Sequence, residues 1–115
     1  MKTSEVLRNA LSLISPPKTW HQGDNYRRDE DGDITGYCMS GAILSIAGEG
    51  TEEYNKASNI LIEAGNPGTT VSFRNSMRFI GWISNFNDDS LRTHNEILDL
   101  MGKAVNLAEE KENEQ

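Results

Sequence analysis

A single cysteine, Cys38, accompanied by two histidines, is all this 115-residue chain offers in soft metal-binding or redox chemistry. One thiol excludes an intramolecular disulfide, and one Cys with two His falls short of a four-ligand zinc set. Long apolar runs are also missing: nothing approaches the roughly 18 residues a transmembrane helix requires. Glu5, Arg8 and Asn9 break up the N-terminal apolar pattern, which argues against a signal peptide. The glycines are scattered, and Gly48-Glu49-Gly50 has no following Lys-Ser/Thr, so no phosphate loop is present. No Ser-His-Asp order with a nucleophile elbow is present either. A cytoplasmic, reducing setting with no membrane and no cofactor is the expectation.

Positive charge is the other scarcity. Eleven Lys and Arg face 18 Asp and Glu, for a net charge of −7. The excess is local: Asp29, Glu30, Asp31 and Asp33 cluster in one loop, and a second acidic group spans residues 109–115. Without these two clusters the chain is near neutral. Direct nucleic-acid binding is therefore disfavoured, because phosphates demand a basic surface. Mimicry of a phosphate backbone would call for carboxylates spaced along a helix, and two local clusters support it only weakly; whether the acidic hairpin mimics nucleic acid is left open.

What the chain does have is helical periodicity. Thr3 or Ser4 can cap a helix in which Val6, Leu7, Ala10, Leu11, Leu13 and Ile14 form one apolar stripe, stopped by Ser15-Pro16-Pro17. The period then vanishes from Lys18 to Tyr37. Asp31-Gly32, between Tyr26-Arg27-Arg28 and Ile34-Thr35-Gly36-Tyr37, predicts a small β-hairpin. Short helices follow over 38–47 and 51–64, the second started by Thr51 with Glu52 and Glu53 and buried along Tyr54, Ala57, Leu61 and Ala64.

A fourth helical segment is expected from Thr70 or Ser72 through Phe73, Met77, Ile80, Trp82 and Ile83, weakened by Gly81. Phe86 to Ser90 reads as a turn. Thr93-His94-Asn95-Glu96 has the capping-box spacing and opens a last helix, with His94 facing solvent. The expected fold is mainly α with a small β-hairpin (α+β): four to five helices packed in one compact domain over 1–108, with an acidic, frayed tail at 109–115.

Several motifs then recur in a recognisable order: Trp20-x-Gln22-Gly23, the acidic glycine turn, Cys38-x-x-Gly41-Ala42, Asn87-Asp88, Arg92-Thr93 and the helix at Glu96-Ile97-Leu98. Together they resemble a family of short uncharacterised phage and bacterial proteins, a domain of unknown function, over most of the chain. Phe86 stands where that family usually has tryptophan, which keeps bulk and removes an indole donor. The resemblance implies shared fold and ancestry, and a phage or mobile-element origin.

Three site hypotheses follow from the residues. Cys38, near a helix start, would be a nucleophile with His21 as base in a hydrolase or transferase. Against it, a lone cysteine is commonly a small buried apolar residue. Gln22, Asp88 and Arg92 would form a small-ligand site, unless Arg92 pairs with Asp88 and Thr93 merely caps its helix. The acidic loop fails as an EF-hand: aligned on Gly32, its first and twelfth positions are Arg27 and Cys38. No metal is expected there.

The leading expectation is a small acidic non-enzymatic accessory protein that binds, and in one form inhibits, a host or defence protein. Asp29, Glu30, Asp31 and Asp33 would make the contact, with Trp20, Gln22, Asp88 and Arg92 as further binding candidates. Residues 20–42 are expected to work mainly as a structural clasp. The oligomeric state is left open.

Overall fold

Val6, Leu7, Ala10 and Ile14 lie on one side of the first helix and are fully buried, as their three- and four-residue spacing demands. In the computed structural model, which describes residues 1–114, this helix is α1 (Thr3–Ile14). A 3₁₀ turn at Pro17–Thr19 leads to a hairpin of β1 (Tyr26–Arg28) and β2 (Ile34–Tyr37). Then come α2 (Met39–Ala47), α3 (Glu52–Gly65), a second 3₁₀ turn (Ser76–Phe79), α4 (Trp82–Asp88) and α5 (His94–Asn113).

α1 packs between α5 and α2, and α3 closes the bundle against α5. Leu7, Ile43, Leu61, Ile97 and Met101 are fully buried where these helices meet. Each contributes about 1.5–3 kcal/mol of burial. The two antiparallel strands pair Tyr26 with Tyr37 and Arg27 with Gly36. A hairpin this small needs support, and the body supplies it. The Arg27 guanidinium donates to Lys18 O and Thr35 O, and His21 N donates to Tyr37 O at 2.8 Å. The expected architecture, mainly helical with one hairpin, is the one found.

Four local expectations are corrected. Neither Thr3 nor Ser4 caps α1: Lys2 occupies the cap position without a side-chain bond, and the Ser4 hydroxyl instead donates to Glu112 Oε1 at 2.7 Å. Residues 70–81 are not an α-helix. Asn75 Oδ1 accepts from Ser72 N at 2.8 Å and Asn75 Nδ2 donates to Thr70 O at 2.8 Å. Such side chain–backbone bonds compete with helical ones. Gly81, at φ 77°, sets a left-handed break before α4.

Phe86 and Asn87 belong to α4 and not to a turn, because Ile83 is buried and Trp82 stacks on Phe86 one helical turn later at 5.3 Å. The turn comes afterwards, where Arg92 N donates to Asp89 O and Leu91 N to Asp89 Oδ1, each at 2.9 Å. Finally, α5 runs on through Asn113, past the point at 109 where fraying was expected. Partners on other helices hold its last turns: Arg8 meets Glu109 at 2.5 Å and Lys111 meets buried Glu63 at 3.2 Å.

Candidate functional site

The residues that carried the sequence motifs converge on Asn87. Asn87 lies in the last turn of α4, and its side chain has no exposed surface. Asn87 Oδ1 accepts from the Trp20 indole Nε1–H at 2.9 Å and from Met39 N at 3.1 Å. Its Nδ2 donates to His21 O and to Asp88 Oδ1, each at 2.9 Å. The amide thus uses both lone pairs and both protons, the full complement of an asparagine side chain. Its backbone carbonyl accepts from Gln22 Nε2 at 2.9 Å; the same nitrogen reaches Asp89 O at 3.0 Å. Asp88 Oδ1 also receives Gly23 N at 3.0 Å.

A second joint lies beside the first. Cys38 caps α2, its sulfur accepting from Gly41 N at 3.2 Å, and Cys38 N donates to Asn25 O at 3.1 Å. Gly41 is required by this approach: a Cβ there would lie 2.2 Å from Asn25 O. Residues 20–25 are therefore held against α4 on one side and the start of α2 on the other.

Cys38 and His21 do not pair; no hydrogen bond joins them among the described residues. The thiol is directed at Asn25 Oδ1 at 3.5 Å, while His21 Nε2 meets Asp24 Oδ1 at 2.5 Å. Burial pushes the Cys38 thiol above its ordinary pKa, reinforced by the negative charge of Asp88 and only partly opposed by the N–H groups of Gly41 and Ser40. A protonated thiol is a poor nucleophile.

The proposed Gln22–Asp88–Arg92 set is split. Gln22 and Asp88 meet around Asn87, but both are engaged by backbone. The alternative in which Arg92 pairs with Asp88 is not found either: Arg92 pairs with Glu96 at 3.2 Å and Asp89 at 3.9 Å. It also donates to Phe86 O at 2.9 Å and lies 3.7 Å over the Phe86 ring. A cavity of about 280 Å³ beside Arg92 is lined by residues of α3 and α5 together with Pro67 and Phe86, and includes neither Gln22 nor Asp88.

His94 does not face solvent. Its Nε2 lies 2.6 Å from Ile14 O at the end of α1, and its ring sits 5.6 Å from that of Trp20. A carbonyl can only accept, so Nε2 carries the proton. The free carbonyl at a helix end has thereby found its donor.

The hairpin tip is built differently. Asp29 Oδ1 accepts from Asp31 N at 2.9 Å and Asp33 N at 3.0 Å, so this carboxylate folds the loop. Carboxylate oxygens of Asp29, Asp31 and Asp33 lie within 4.8 Å of one another, all exposed. None of these, nor Glu30, forms an ion pair among the described residues.

A family model matches residues 1–107: a family of unknown function, DUF6197. The chain belongs to DUF6197. No curated protein and no solved structure matches it. In this DUF6197 member, the residue that sequence reasoning undervalued is Asn87. Its signal was available: a polar side chain sits one position beyond the Trp82–Phe86 pair, next to an acidic residue. Asn25 and His94 carried no comparable signal, because their partners, Cys38 and the Ile14 carbonyl, lie 13 and 80 positions away.

Proposed function

We propose that this DUF6197 protein is a small non-enzymatic accessory protein, encoded by a phage or mobile element, that binds a host or defence protein in the host cytoplasm. Binding, and in the simplest case inhibition, runs through the hairpin tip. The observation that carries this reading is the exposed tip itself, with Asp29, Glu30, Asp31 and Asp33 unpaired by any cation among the described residues. Clustered like charges oppose folding, and basic side chains of a partner would relieve them. The rigid mounting of the hairpin on Lys18 and Asn25 supports the same reading, since a pre-ordered loop loses little entropy on binding.

The test is affinity capture from host lysate with the wild type and with an E30K/D31K/D33K variant, Asp29 being left in place because it shapes the loop. Capture of a protein by the wild type that the variant fails to retain is the expected result. Identical captures would remove the tip from the proposal.

A further inference from the structure

Between Glu63 and Asp88 the chain contains no acidic residue, and its only charges are Arg74 and Arg78. In a molecule of net charge −7 this stretch is locally positive, as is 6–23, but there Arg8 is already paired with Glu109 and Lys18 lies in a 3₁₀ turn. The stretch between Glu63 and Asp88 also exposes the side chains that a helical stripe was expected to bury: Phe73 is 97% exposed, Met77 74% and Ile80 72%. Both arginines are exposed too, and neither forms an ion pair or a side-chain hydrogen bond among the described residues.

The segment is nevertheless fastened at its ends and within. Val71 N donates to buried Glu63 Oε2 at 2.9 Å, Asn75 ties Ser72 to Thr70, and Ile83 is buried just beyond Gly81. Three large apolar groups are therefore displayed from an ordered backbone, interleaved with two unpaired cations. Isolated exposed apolar residues need no explanation, but a group of them framed by charge marks a contact surface.

We propose that residues 71–80 form a second interaction surface, separate from the acidic hairpin, whose occupant is an acidic segment of another protein with apolar side chains of its own. Phe73, Met77 and Ile80 would be covered by the apolar side of that segment, while Arg74 and Arg78 meet its carboxylates. Arginine suits this role because its planar fork holds a carboxylate through two hydrogen bonds. Other occupants fit less well. A second copy offers its hairpin tip, which supplies carboxylates but only the partly exposed Ile34 as an apolar counterpart. An anionic bilayer is broad and flat, so it would also meet the chain's acidic surface, where like charges repel over about 8 Å. A nucleic acid would gain contacts from only two arginines.

The probe is a synthetic amphipathic peptide of about 20 residues, long enough to sustain a helix, with Glu on one face and Leu on the other. It is titrated into the ¹⁵N-labelled full chain, alongside the same peptide with Lys in place of Glu. Saturable shifts confined to the amides of residues 71–81, seen with the Glu peptide and not the Lys peptide, are expected. R74E/R78E should weaken binding about tenfold or more, and F73S/M77S/I80S should remove it, both variants keeping the wild-type spectrum elsewhere. Three results overturn the proposal. One is Glu-peptide binding that is absent, maps elsewhere, or survives R74E/R78E unchanged. The second is binding to phosphatidylserine vesicles but not to the peptide. The third is concentration-dependent self-association that R74E/R78E abolishes without any peptide binding.

Discussion

Trp20 and Asn87 stand 67 positions apart, yet the indole N–H of one donates to the side-chain carbonyl of the other at 2.9 Å. That bond joins the segment entering the hairpin to the end of α4. Met39 N, the first N–H of α2, converges on the same oxygen. The hairpin entry, the end of α4 and the start of α2 are thus tied together by one buried amide.

Replacing Asn87 with Ala should destabilise the fold by about 3 kcal/mol, because buried donors left without partners cost about 1–3 kcal/mol each. Trp20→Phe removes one donor and should cost about 1–2 kcal/mol. Urea unfolding of both single variants and the double variant checks the link. Additive losses would show that the two side chains do not act through each other.

Glycine replacements should separate by site. Gly41→Ala forces a methyl to within 2.2 Å of a backbone oxygen that Cys38 N holds in place, and should cost about 1–3 kcal/mol. Gly102→Ala, in the interior of α5 with nothing within 4 Å of the new methyl, should stabilise by about 0.5–1 kcal/mol. Thermal melts of the two proteins should shift in opposite directions.

The capping box at the start of α5 makes stability depend on acid. Thr93 accepts from Glu96 N at 3.2 Å, and Glu96 Oε1 accepts from Thr93 N at 2.9 Å. The Thr93 backbone N–H, then its hydroxyl, lower the Glu96 pKa, with Arg92 adding to the effect. A carboxyl lowered in the folded state stabilises above its unfolded pKa, and that stabilisation is lost as pH falls through the folded value. The stability gap between wild type and Glu96→Gln should therefore be largest near neutrality and shrink below about pH 4. Urea midpoints measured across that range decide it. Thr93→Ala should cost about 1 kcal/mol at neutral pH.

The Cys38 thiol should resist modification. Its raised pKa keeps it protonated, and it is buried at the start of α2. Ellman's reagent should react slowly with the native protein and rapidly in urea. The sign for stability is the reverse of that for Glu96. The contribution is complete below the unfolded thiol pKa and is lost as pH rises through the folded one. Fast native labelling at neutral pH would contradict the burial argument.

Much of this molecule can be read from local pattern, because a helix face repeats every three to four residues and a cap needs only its neighbours. The α1 stripe, the Asp-Gly hairpin, the Thr51 start of α3 and the Thr93–Glu96 box all follow from residues within a few positions of one another. Where local pattern misled, a distant partner was the reason. The spacing of Phe73, Met77 and Ile80 resembles a buried helical face, yet Asn75 and Gly81 hold the backbone out of a helix and leave those side chains in water. Residues 109–113 look too charged to pack, but Arg8, Ser4 and Glu63 wait for them on α1 and α3.

Sequence by itself therefore determined the helical class, the hairpin and the concentration of acid at its tip, all properties of short windows. Only the tertiary structure decided that Trp20, Gln22, Met39 and Asp88 serve one asparagine, that Arg92 belongs to Glu96 and not to Asp88, and that Arg74 and Arg78 stand unpaired among the described residues. Those outcomes depend on which groups meet across the fold, where a buried donor must find an acceptor or lose its bond to water.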